Sequence, residues 1–186
     1  MRIFWMKSLA ISAAAMLAAG AAQAQSLDDS AAVAATRPQE QIVAGDITAQ
    51  QLSALLKPVD AFYGFWANGS AKLLAQAIGS DFVDHTLPAG RPQGPDGPAA
   101  ASKGFLAAVP DLKVTVVQRL VVEDRVVSHL RFTGHFTGSF AGHAGAGQAV
   151  DFIATDIVRV QHGRITDNWH LEDNLTFLRQ IGVVAK

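Results

Sequence analysis

Between Asp151 and Asn174, in DFIATDIVRVQHGRITDNWHLEDN, apolar and polar positions alternate with a period of two and break once. Phe152, Ala154, Asp156, Val158 and Val160 share one strand face, the alternation stops at His162-Gly163, and it resumes at Ile165 before Trp169 and His170. Period-two alternation interrupted by a glycine turn predicts a β-hairpin. Asp156 interrupts an otherwise apolar face. In antiparallel strands it faces the same interior as His170 only if the pairing register is right, because a one-residue slip turns every side chain to the other face.

Upstream the periodicity is helical. Ala49 to Leu56 reads as one helix, and Pro58 can open a second in which Val59, Phe62, Tyr63 and Trp66 recur at helical spacing until Asn68-Gly69. Ser70 fits an N-cap for a third helix, with Leu73, Leu74, Ala77 and Ile78 as its apolar stripe and Gly79 as its stop. Asp81 to Thr86 is a short apolar-polar segment, Leu87 to Pro98 is too rich in Pro and Gly for regular structure, and Ala99 to Val109 resumes as a helix. Strands are predicted over Lys113 to Val122, Arg125 to Phe136, Ala149 to Val160 and Arg164 to His170, with a turn at Asp124. Gly138 to Gly147 reads as a mobile connection and Asn174 to Ile181 as a closing helix. Helices followed by antiparallel strands define an α+β architecture with the helices on one face of the sheet. A strongly curved sheet would enclose a pocket with them, and an apolar convex face would favour a homodimer.

The first 24 residues stand apart. Arg2 and Lys7 form a positive n-region, Ser8 to Ala19 an apolar run and Ala22-Gln23-Ala24 a cleavage site, the pattern of a secretory signal peptide. The apolar run is shorter than the ~20 residues that a membrane helix needs. The expectation is therefore an exported chain of the bacterial periplasm, with no membrane partner. Gln25 to Ile47, rich in Ala, Gln, Asp and Ser, reads as a flexible leader, so the domain proper would span residues 48–186. Without Arg2 and Lys7 the 15 Lys and Arg fall to 13 against 16 Asp and Glu, a mild negative balance that argues against nucleic acid as a partner. The chain has no cysteine, which removes disulfides, thiol catalysis and thiolate metal ligands.

The segments FYGFWANGSAKLLAQAIGSDFVDHTLPAG, QGPDG, VPDLKVTV, TGHFTGSF and DIVRVQHGRITDNWHLEDNL together resemble the SnoaL-like polyketide cyclase and ester cyclase group, over about Asp60 to Val183. The resemblance implies the nuclear transport factor 2-like fold, an α+β cone of N-terminal helices packed on a curved mixed, largely antiparallel sheet that encloses a pocket, often dimeric. It also implies that the residue after the tryptophan of the last strand acts as acid/base in an intramolecular aldol closure. In those cyclases that residue is an aspartate, and a histidine stands on the preceding strand. Here the positions hold His170 and Asp156, so acid and imidazole are exchanged.

On the residues themselves, His170 as general base oriented by Asp156 would suit proton abstraction next to a carbonyl, with Asn168 or Arg131 stabilising the enolate. The alternative is a His-Asp hydrogen bond that only satisfies two half-buried groups. His85, in the FVDH segment, would sit at the pocket mouth or cap the loop locally. His129 and Arg131 share a strand face opposite Leu130 and Phe132, and either face is open as the concave one. Phe62, Phe65, Trp66, Phe82, Phe105 and Trp169 are candidate pocket walls or plain core. The histidines show no zinc-type spacing, and the glycines match no dinucleotide or phosphate loop, so neither metal nor cofactor is expected. The partner these features call for is a small apolar carbonyl compound, turned over by cyclisation, isomerisation or hydrolysis, or held by a non-catalytic binding module.

Overall fold

The computed structural model describes residues 27–185, so the signal-peptide segment lies outside the described residues. Helices α1 (Asp29–Ala35), α2 (Ala49–Asn68), α3 (Ala71–Ala77), α4 (Asp96–Ala108) and α5 (Asn174–Gln180) accompany strands β1 (Glu40–Val43), β2 (Ile78–Asp84), β3 (Lys113–Val122), β4 (Arg125–Phe136), β5 (Ser139–Phe140), β6 (His143–Ala144), β7 (Gln148–Gln161) and β8 (Arg164–Glu172). A six-stranded open sheet runs β1-β3-β4-β7-β8-β2, antiparallel throughout its centre, with β1 and β2 added in parallel at the two edges. The α+β reading holds, and so does the mixed, largely antiparallel sheet.

Helix α2 covers the inner face of the sheet. Thr48 and Gln51 form a capping box at its start, and Gly69, at φ 74°, closes its end in the left-handed conformation that glycine adopts without cost. The expected break at Pro58 does not occur, because Pro58 lies inside one continuous helix. A proline there frees the carbonyl of Ala54, and Ala54 is solvent-exposed, so water can take the place of the missing donor. Ile78 likewise leaves the α3 stripe to begin β2, whose parallel pairing with β8 outweighs one more helical residue. Helix α4 begins at Asp96, three residues earlier than its sequence suggests, with Pro98 in the first turn, where its missing N–H costs nothing. The Gly138–Gly147 connection folds as the β5-β6 hairpin.

The flexible leader is also corrected. Asp28 caps α1 by accepting a hydrogen bond from Ala31 N at 2.8 Å, and Ala32 is fully buried. Helix α1 packs on α2 where Gly64 leaves room, since a Cβ there would lie 2.8 Å from Val33 Cγ2. Strand β1 pairs with β3, flanked by the bonds Gln39 N to Val116 O and Ala44 N to Val121 O. Small side chains that look like linker composition are here what close helix packing requires.

The apolar core lies between the helices and the inner sheet face, where Phe105, Phe152 and Phe177 meet with ring centroids 5.1 to 6.0 Å apart. Deleting residues 27–43 should expose α2 and the β3 edge and lower the thermal midpoint by about 5 °C or more. An unchanged melt would mean that the segment is only loosely attached.

Candidate functional site

Strand β8 changes phase along its length. Ile165 pairs with Val160 and is fully buried, Thr166 is an extra residue without a partner, and Asp167 then pairs with Arg159. This bulge turns Asn168, His170 and Glu172 inward, and Asp167, Trp169 and Leu171 outward. Asp156 and His170 are directly opposite, so the register condition is met.

A second bulge, at Val117, does the same on β3. Val116 pairs with Leu130 and Gln118 with His129, which turns Arg119 inward opposite Ser128. Ser128 in turn pairs with Asp156. Arg119, Ser128, Asp156 and His170 therefore form one polar row across the inner face, perpendicular to the strands.

His170 Nδ1 meets Asp156 Oδ1 at 2.6 Å, and its Nε2 lies 3.6 Å from Glu172 Oε2. Asp156 is 2% exposed and the His170 side chain 20%. Burial by itself would lower the imidazole pKa. The charge of Asp156 and its hydrogen bond, joined by those of Glu172, outweigh burial and push it up from 6.5 to about 10. The two carboxylates thus favour the protonated form of the His170 ring. Behind Asp156, Tyr63 from α2 is fully buried, and its phenol is held well above the usual tyrosine range by burial and by the Asp156 charge. Arg119, 1% exposed, donates to Asp60 at 2.7 Å and lies 5.8 Å from the Tyr63 ring centre.

Asp156, His170 and Glu172 border a narrow cavity of about 20 Å³ that opens to solvent. Phe62, Trp66, Phe82, Phe105, Leu130 and Phe132 supply apolar walls, and Asp84, Arg91, Asp156, Asn168, His170 and Glu172 the polar ones. The Asn168 Oδ1 is buried without a partner. The loop after β2 is fastened to the site by Gln93, which bonds both Asp84 N and Asp84 O, and by Thr86 Oγ1, which accepts from His170 N at 2.7 Å.

Of the candidates, His170, Asp156, Asn168, Phe62, Trp66 and Phe82 line this cavity. His129, Arg131 and His85 do not. His129 meets Thr155 at 3.0 Å and Arg131 pairs with Asp151, on the face opposite Leu130 and Phe132. His85 sits on the outer face, stacked on Trp169 at 4.4 Å, with Nε2 2.8 Å from Asp167. Burial would raise the Asp167 pKa, but hydrogen bonds from His85, Thr166 and Arg159 hold it at about 2. Trp169 is thus no pocket wall, because the Thr166 bulge points it away. Glu172 and Arg119 were missed. Glu172 shares strand parity with Asn168 and His170, a signal that was available. The phase change between Val116 and Val121 marked Arg119 more faintly.

A family model described as SnoaL-like polyketide cyclase matches residues 57–181. The chain belongs to the SnoaL-like polyketide cyclase family. It is 35% identical to a candidate polyketide cyclase from Bacillus cereus ATCC 10987, over 81% of this chain and 95% of that one, with a TM-score of 0.74. IdmH, a candidate polyketide cyclase from Streptomyces antibioticus, is 26% identical over 67% of this chain and 96% of its own, with a TM-score of 0.60. A protein from Catenulispora acidiphila with a ketosteroid isomerase-like fold shares that fold at 19% identity, covering 67% and 92% of the two chains with a TM-score of 0.52. Among curated proteins none matches. In this SnoaL-like chain His170 and Asp156 are in contact.

Linkage gives the site a pH signature. A folded pKa raised from 6.5 to about 10 contributes stability in full below pH 6.5 and loses it as pH rises through 10. Resistance to denaturant should therefore fall as pH rises between these values, and Asp156→Asn should flatten that slope. An unchanged slope in the variant would separate Asp156 from the charge on His170.

Proposed function

We propose that this SnoaL-like protein catalyses cofactor-free acid/base chemistry on a small, largely apolar carbonyl compound, leading to cyclisation or isomerisation. The observation that carries the reading is the His170 ring held between Asp156 and Glu172 at the wall of an aromatic cavity.

The roles follow from the charges. The His170 ring donates a hydrogen bond to the substrate carbonyl oxygen, which favours negative charge developing there. The Glu172 carboxylate takes the proton from the adjacent carbon. Electrons of that C–H bond pass into the enolate, whose carbon either attacks an internal carbonyl, the new alkoxide taking the proton from Glu172, or takes that proton back from Glu172 at another position. Asp156 touches no substrate in this scheme and keeps His170 charged and oriented. Asn168 offers a further polar contact on the cavity wall.

Exchange of α-protons for deuterium in a panel of small aryl ketones, followed by NMR, reads the first step without knowing the natural substrate. His170→Gln and Glu172→Gln should each slow exchange by about 10²–10⁴. Ketone binding without exchange in the parent protein would instead support a binding module that holds a hydrophobic ligand.

We also propose that the protein is exported to the periplasm, on its N-terminal sequence pattern, and forms a homodimer through the outer sheet face. Val83, Ile153, Ile157 and Leu171 are exposed there, Leu171 to 77%. Sedimentation should give a dimer for the parent and a monomer for Ile157→Glu; a monomeric parent would contradict the dimer.

A further inference from the structure

We propose that Arg91 reads an anionic group on the ligand, so that the substrate is an acidic carbonyl compound, carrying a carboxylate at the cavity mouth and its reacting carbonyl beside His170. This rests on the carbonyl chemistry proposed above and narrows its substrate class.

The charged groups of the cavity wall are Asp84, Arg91, Asp156, His170 and Glu172. All but one are committed to a partner within the protein. Asp156 and Glu172 flank His170, and Asp84 Oδ1 accepts from Thr86 N at 2.9 Å and from Thr86 Oγ1 at 3.1 Å. Among the described residues, the Arg91 guanidinium has no hydrogen bond and no ion pair, although acidic side chains share its cavity.

Its placement is built. Arg91 N donates to Pro88 O at 3.1 Å, and the Gln93 clamp on Asp84 fixes the loop two residues further on. Gly97, in the first turn of α4, lets the loop close: a Cβ there would lie 2.5 Å from Pro92 O and meet the Arg91 methylenes at 3.6 and 3.7 Å. Arg91 is thus half-buried and lines the cavity, with its stem close to Gly97. A guanidinium presents a planar fork that fits a carboxylate in a bidentate way. Asp84 and Asp156 do not cancel this, because each already has its own donors, and Glu172 lies 3.6 Å from the charged His170 ring.

The test uses 2-naphthoate and its uncharged methyl ester as probes, titrated by fluorescence against the full mature chain and its Arg91→Gln and Arg91→Lys variants. The parent should bind the acid roughly tenfold more tightly than the ester, a charge-assisted contact being about twice as strong as a neutral one. Arg91→Gln should erase that preference and leave ester affinity within about twofold, while Arg91→Lys should keep part of it. Equal binding of acid and ester by the parent would overturn the proposal and leave the carbonyl pocket standing. Equal loss of both probes in Arg91→Gln, or a preference that survives it, would overturn it too. If the parent bound neither probe, the cavity would not be a ligand site and both readings would fall.

Discussion

The site depends on one constraint, the register that sets β8 against β7. Because side chains alternate along a strand, Ile165 and His170 cannot both face inward on a regular strand. The unpaired Thr166 resolves the conflict by shifting the phase, so that an apolar anchor and a polar cluster occupy the same face of one strand. Were Thr166 paired as in a regular strand, either Ile165 would leave the core or His170 would leave Asp156. The same device on β3 brings Arg119 into line with Ser128.

The two bulges together lay a row of polar residues through an aromatic core. From Asp60 through Arg119, Asp156 and His170 to Glu172 the residue types alternate in sign, with Tyr63 and Ser128 between the two halves. Such a row adds less to stability than apolar packing would, since each charge leaves water at a cost of several kcal/mol. It is also incompletely satisfied: among the described residues, Nε and Nη2 of Arg119 are buried without a partner. The effect of the row reaches the cavity as the positive charge on His170, which the apolar walls shield from water.

Much of this was legible in the sequence. The β3 and β4 boundaries read from alternation coincide with the observed ones, because both strands are long, half-buried and ended by a tight turn. What alternation cannot show is a change of phase within a strand. That is why Trp169 read as a pocket wall, and why the faces of His129 and Arg131 stayed open until Leu130 and Phe132 were seen to be buried. Local composition misled in the other direction at Gln25 to Ile47, where alanines that suggested a linker are the small residues helix α1 needs to dock. The Asp156–His170 pair was visible as a pattern, but its protonation was not. That depends on Glu172 and on the depth of burial, which only the folded arrangement supplies.

The central claim is that His170 is a cationic acid made so by Asp156 and Glu172. Imidazole ¹⁵N shifts of the protein at pH 8, assigned by comparison with His170→Gln, test it most directly. Protonation of both His170 ring nitrogens at that pH is the predicted result, since the site holds the group at about 10. A neutral ring with one bare nitrogen at pH 8 would contradict it and return His170 to the role of a base.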